Sequence, residues 1–494
     1  ADAEDDEDAE SAPAEEATEA NQDAKTMTRS AAVSAVYVDG VKGNDDNDGL
    51  AAETAVKTWT KAKEIIGNNA GTIYVCGTVT VDGEVSTANP SSQVVKRAEG
   101  FEGVVFKVDT QVKNATFKNI HFNGEEKSVL EPVVVMKNCS GGRLEVLEKA
   151  VFENNNNNRW GVNHEGSTGA SKQRPQGGAV SVFDSNNATI LIDGASFLNN
   201  TASFEGGAIF LNGPIETIIK AGTFKGNTAN KGSVLVNYNS TSANQITIYN
   251  ALITGNTSAG SAGGINICQS NIAETTIAGD VSTGAAIYGN VGPYGDIAVW
   301  ENSDRSKLKV NEGTMLGGGN HHWVGKTDYG YEADLSQISD DDKRNARALA
   351  TSIFEDNTAL VCHGAIQSNG VITLGKLNPA ELRIKKVDAD TNKPLSGVVF
   401  RLYGETRSGV EVDREVTSFV DTSGTEHDTS AIGVASFVDI APGNYKLEEK
   451  VAKEGYKRIT TVWDVTVDTD GNLTVDGEGL EKVEGQFYNY LLKN

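Results

Sequence analysis

Phe197-Leu198-Asn199-Asn200-Thr201-Ala202-Ser203-Phe204-Glu205-Gly206-Gly207-Ala208-Ile209 joins two signatures, Phe-x-x-Asn and Gly-Gly-apolar, that return along the chain. The first recurs at Phe152 with Asn155 and at Phe224 with Asn227; Ile253 with Asn256 is a variant. The second recurs at Gly177-Gly178-Ala179-Val180 and Gly263-Gly264-Ile265, with Gly232-Ser233-Val234-Leu235 as a degenerate copy. From Gly177 through 206 and 232 to 263 the spacings are 29, 26 and 31 residues. Unequal spacings of that size mark solenoid coils joined by loops of variable length. Each copy also carries a β-branched run, such as Thr189-Ile190-Leu191-Ile192 or Ile246-Thr247-Ile248-Tyr249, whose inward side chains would stack on the next coil. Asn suits the turns, where it tolerates left-handed backbone and forms hydrogen-bonded ladders.

The opening of the solenoid reads Tyr37-Val38-Asp39-Gly40, an acidic Gly-bounded loop from Gly43 to Gly49, and then Thr58-Trp59. A helix is predicted over 58–66, with Thr58 as N-cap and Gly67 after its end. Trp59, Ala62, Ile65 and Ile66 form its apolar stripe, which would plug the open end of the coils. This layout resembles the start of secreted right-handed parallel β-helix proteins of the pectate-lyase type. The paired repeats resemble those of chlamydial polymorphic outer-membrane proteins and bacterial adhesin-like proteins. The repeat lapses between 302 and 357, where a helix is expected over 341–354, and a strand resumes at Val371-Ile372-Thr373-Leu374. The interruption is expected to pack on one face or to cap the far end.

Three residue types define the last part. Lys386 lies in Leu382-Arg383-Ile384-Lys385-Lys386-Val387-Asp388, Glu449 ends Tyr445-Lys446-Leu447-Glu448-Glu449 before Gly455-Tyr456, and Asn489 lies in Gln486-Phe487-Tyr488-Asn489-Tyr490. Strand alternation puts Leu382, Ile384 and Lys386 on one face, leaving Lys385 as the neighbouring alternative. The layout resembles the Cna-B (SpaA-like) immunoglobulin-type domains of Gram-positive surface proteins. The resemblance implies an intramolecular isopeptide bond from Lys386 to Asn489, assisted by Glu449. Such a bond needs a neutral amine and a polarised amide, and burial between two sheets disfavours both an ammonium and a carboxylate. Joining the first and last strands would be worth roughly 4 kcal/mol in the closed-loop entropy model. The plain alternative is a surface Lys, a rim Glu and a turn Asn in an ordinary sandwich.

The predicted fold is therefore all-β: an acidic disordered segment over 1–30, a right-handed parallel β-helix over 31–376, and a Cna-B β-sandwich over 377–494. Residues 1–20 hold ten acidic and no basic side chains, and the whole chain carries a net charge of −25, which argues against nucleic-acid or anionic-membrane partners. No apolar run approaches the ~20 residues of a membrane span. A start at Ala1 rather than Met fits removal of a secretory signal, and wall anchoring is expected beyond Asn494. The four Cys are too dispersed for a metal site; separate thiols or one disulfide are the alternatives.

Catalysis on a β-helix needs clustered carboxylates with Arg or Lys beside them. The repeats offer Gly, Ser, Thr and Asn instead, with Asp184, Asp193 and Glu205 isolated in sequence. Asp45, Asn47 and Asp48 are candidate Ca2+ ligands, set against a self-bonded Asx-rich turn. Trp160, in a long polar insertion with Arg159 and His164, and the run His321-His322-Trp323 are candidate glycan or metal contacts, set against structural loops. These observations predict a secreted cell-surface adhesin or fimbrial-type subunit that presents its β-helix to a host glycan or matrix ligand on an isopeptide-stabilised stalk. It would be no enzyme beyond making its own bond and would need no cofactor. A surface polysaccharide lyase or glycoside hydrolase and a pure spacer are the alternatives.

Overall fold

The computed structural model describes residues 32–111, 114–166, 173–239, 246–269, 274–277, 285–293, 295–300, 307–311, 314–317, 322–323, 366–368, 371–375, 380–407, 409, 411–419, 431–468 and 470–494. The acidic segment over 1–30, the helix expected over 341–354 and His321 lie outside them.

Among the described residues, sheets of seventeen, nine and five strands, paired in parallel except where His322–Trp323 runs against Met315–Gly317, form a β-helix from Ala35 to Gly375. A coil visits all three. Val180–Phe183 lies in the nine-stranded sheet, Ala188–Leu198 in the largest and Thr201–Glu205 in the smallest, before Ile209–Asn212 returns to the first. Register repeats one coil on, so Phe197 faces Phe224 and Phe224 faces Ile253. The run expected at 189–192 extends to Leu198, bending at Asp193 and Gly194 where the register shifts.

Both signatures have a steric reason. Gly206 adopts φ 67°, and a Cβ on Gly207 would sit 2.4 Å from Ser233 O of the next coil. Only glycine meets both demands, so the pair fixes how closely the coils approach. The Phe residues form a buried row. Phe117 to Phe152, Phe152 to Phe197 and Phe197 to Phe224 stand 6.1, 5.6 and 5.0 Å apart, and the last pair is stacked within 2° of parallel. Trp59 heads the row, edge-on to Phe106 at 5.3 Å. It starts the helix Trp59–Ile66, where Thr58 accepts from the Lys61 N–H and Gly67 donates to Lys63 O.

Beside the Phe row runs a buried Asn ladder. Asn200 Nδ2 donates to Asn227 Oδ1 (3.1 Å), Asn227 to Asn256 (2.9 Å), Asn256 to Asn290 (2.7 Å), and Asn290 to Asp296 Oδ1 (2.6 Å). The same amides donate to carbonyls of Phe152, Phe197, Phe224 and Ile253, one coil earlier in the row. Asn155 joins through its N–H to Asn200 Oδ1, and its own Oδ1 accepts from the buried Arg97 guanidinium at 2.5 Å. Every amide thus points its oxygen towards Arg97 and its NH2 towards Asp296. Left-handed geometry belongs to the preceding residue: Asn154, Asn199, Gly226, Gly255 and Gly289 all have positive φ. The two tasks expected of one Asn are divided between neighbours.

From Ala380 the pairing becomes mostly antiparallel. Val434–Ile440, Ala380–Val387, Tyr490–Lys493 and Leu480–Lys482 form one sheet; Glu411–Thr417, Val399–Thr406, Gly443–Val451, Val462–Val467 and Leu473–Asp476 form the other. Leu382, Ile384, Phe400, Phe437, Leu447 and Trp463 fill the space between them. The first and last strands lie side by side and parallel, with Ile384 opposite Tyr490 and Lys386 opposite Leu492. The fold is all-β, a parallel β-helix followed by a β-sandwich.

Candidate functional site

The alternating strand Ala380–Val387 turns Leu382, Ile384 and Lys386 into the sandwich. Lys386 is 1% exposed, and its Nζ donates to Oε2 of Glu449, 0% exposed, at 2.8 Å. Burial pushes the Lys386 ammonium down, and the Glu449 carboxylate opposes that shift in part. Two charges withdrawn from water cost more than they recover unless their remaining atoms are satisfied. Here Glu449 Oε1 is buried without a hydrogen-bond partner. Lys385 points elsewhere: its Nζ reaches Ile432 O and lies 5.9 Å over the Tyr488 ring.

Asn489 is not brought to this pair. Its Oδ1 accepts from the Arg383 N–H and its Nδ2 donates to Glu381 O, both at 2.7 Å, so the amide fastens the edge of the first strand. Its place in the alternation explains this. Tyr490 and Leu492 face the core, which turns Asn489 outward and gives Asn494 the inward parity. The Asn494 N–H donates to Val387 O and its carbonyl accepts from the Ala389 N–H, both at 2.9 Å. Asn494 Oδ1 is buried and, like Glu449 Oε1, lacks a partner. Tyr456, from the Gly-Tyr motif, closes this end by donating to Asp388 at 3.0 Å.

The candidate calcium loop spends its oxygens on itself. Asp45 accepts from the Lys57 and Thr58 N–H groups and the Thr58 hydroxyl, Asp48 from the Leu50 N–H and Thr54 hydroxyl, and Asn47 donates to Ala55 O. Those bonds hold both carboxyls below their ordinary range against desolvation, which is the largest influence on Asp45. Among the described residues no three His, Cys, Asp or Glu side chains gather as for a metal. In this structure the loop is held as an Asx-rich turn by its own N–H and hydroxyl donors.

Trp160 is 51% exposed and meets Phe204 edge-on at 5.4 Å, with the Arg174 guanidinium 4.7 Å over the same Phe204 ring. Arg159 pairs with Glu102. His322 and Trp323 form a two-residue strand against Met315–Gly317; their side chains lie outside the description. The carboxylates a β-helix enzyme would cluster are dispersed. Asp184 follows the nine-stranded sheet, Asp193 lies in the largest, and Glu205 ends a strand of the smallest, taken up by Gln176 at 2.7 Å. Cys76 and Cys139 are free thiols, both pushed up by burial.

No curated protein sequence matches the chain. The pilus adhesin RrgA of Streptococcus pneumoniae is 30% identical over 22% of this chain and 11% of its own, with a TM-score of 0.17. BcpA, the major pilin subunit of Bacillus cereus, is 20% identical over 24% of this chain and 27% of its own, TM-score 0.13. A C-terminal fragment of the pilus adhesin SpaC from Lactobacillus rhamnosus GG is 20% identical over 26% of this chain and 49% of its own, TM-score 0.18. The chain thus spans less than half the length of each. Residues 380–479, which include the Lys386–Glu449 pair, match the family described as the SpaA prealbumin-like fold domain.

Proposed function

We propose that this chain is a subunit of a Gram-positive surface pilus or adhesin, in which the SpaA-like domain is a covalently locked stalk and the β-helix presents a ligand-binding face. The observation that carries this reading is the buried Lys386–Glu449 pair, whose strand lies alongside the one that ends in Asn494, with partnerless buried oxygens on Glu449 and on Asn494. Glu449 takes the proton of Lys386, leaving a neutral amine. That nitrogen attacks Cγ of Asn494, not Asn489; Nδ2 departs as ammonia with the proton returned by Glu449, and the attacking nitrogen passes its second proton to Glu449 as the C–N bond becomes an amide. Asn489 instead holds the two strands in register. No oxidant is consumed and the event happens once per chain.

The ligand-binding face is the ledge around Trp160, whose exposed indole suits stacking on a sugar ring. The proposal is tested by incubating the protein with host-matrix proteins and polysaccharides, reading retained protein and new chain ends together. Binding without new ends, lost in Trp160→Ala, is the expected result. New chain ends would make the β-helix an enzyme, and no retention on any surface would make it a spacer.

A further inference from the structure

Tyr37 and Tyr74 stand one coil apart at the head of the β-helix. The strands Ala35–Asp39 and Gly71–Gly77 alternate in register, so Val36 and Val38 face the core with Ile73 and Val75. Tyr37 then lies opposite Tyr74 on the outer face, where both are half-buried. Their rings stack with centroids 5.0 Å apart and planes 20° from parallel. The backbone fixes this placement. The Tyr37 N–H donates to Gly49 O at 2.8 Å and its carbonyl accepts from the Val56 N–H at 3.0 Å, while the parallel ladder holds its neighbours to the second strand. The tyrosine stack ends there, because the next coil places Lys96 opposite Tyr74, with its amine on Glu125 at 2.6 Å. The longer row inside the coils is built from Phe, which has no phenolic hydrogen to lose. The two phenols thus sit at a terminal coil, which has a neighbouring coil on one side only.

We propose that Tyr37 and Tyr74 form an oxidative cross-linking site, which fastens the first coil to the second when a peroxidase-type one-electron oxidant reaches it. Each phenol gives up one electron and one proton, and the unpaired electron spreads to the ring carbons beside the oxygen. The two radicals pair as a C–C bond between those ortho carbons. The hydrogens on the bonded carbons then move to the oxygens, restoring both phenols. One hydrogen peroxide takes the two electrons and two protons and leaves as two waters, so the chain loses two hydrogens. Stacking on adjacent strands supplies the partner ring in advance, which favours coupling within one chain over coupling between chains. Cys76, a free thiol two residues beyond Tyr74 on the same face, is the competing oxidisable group.

The whole protein, kept dilute, is treated with hydrogen peroxide and a haem peroxidase. The expected result is dityrosine fluorescence in the monomer, a mass lower by two hydrogens, and a tryptic product joining residues 30–42 to 64–96. Tyr37→Phe and Tyr74→Phe, which keep a stacked ring, should each lose the joined product, and Cys76→Ser should keep it. Hydrogen exchange reads the fastening: the amides of Val36 and Val38 should exchange about tenfold more slowly in the cross-linked chain. A wild type that gains dityrosine only between chains, or none, would overturn the proposal. So would a joined product that survives Tyr37→Phe, or exchange at Val36 and Val38 that the cross-link leaves unchanged.

Discussion

Asp296 ends the Asn ladder as a buried carboxyl whose Oδ1 accepts from both the N–H and the Nδ2 of Asn290, while Oδ2 has no partner. Burial, opposed by those two bonds, pushes it up to about 8 from 3.8. The folded state therefore holds a proton that the unfolded chain has lost, across the window between those two values. Stability contributed by this group is complete below about pH 4 and is lost as pH rises towards about 8. We expect the melting temperature of the β-helix to fall over that window, and Asp296→Asn, which keeps an oxygen acceptor and cannot ionise, to flatten the fall. A pH series of melting curves for both proteins checks it; equal slopes would remove Asp296 from the account. Lys386 is also buried, and the proposed bond would remove its charge.

The ladders show which parts of an element a sequence makes legible. Repeated signatures are visible because one coil stacks on the next, so Phe152, Phe197 and Phe224 must each fit the same space. The end helix was equally legible, since Thr58 and Gly67 are local caps. The last strand was not. The sequence suggests a closing strand over 486–490, whereas the strand runs Tyr490–Lys493, and alternation from the buried Tyr490 and Leu492 turns Asn489 outward. Nor could spacing reveal that Arg97 meets Asn155, since 58 residues separate them. Within the ladder, Asn227 accepts from the N–H and Nδ2 of Asn200 and donates to Phe197 O and Asn256. Asn227→Ala orphans several buried groups at once, and a loss of about 3 kcal/mol is expected from denaturant unfolding. A loss below about 0.5 kcal/mol would mean the ladder adds nothing beyond the backbone pairing.

At the scale of the molecule, the two parts are held together differently. The β-helix distributes stability over stacked coils, each dependent on its neighbours. The sandwich places its first and last strands side by side, where one bond from Lys386 to Asn494 would stop either end from peeling away. A surface protein pulled between a wall and a ligand needs that second property most. The direct test is the intact mass of the purified chain and its variants. We expect the wild type and Asn489→Ala to be lighter by one ammonia than their sequences require, and Lys386→Ala, Glu449→Ala and Asn494→Ala to show their full masses. A wild-type chain at full mass, or a bond that survives Asn494→Ala and disappears in Asn489→Ala, would contradict the assignment.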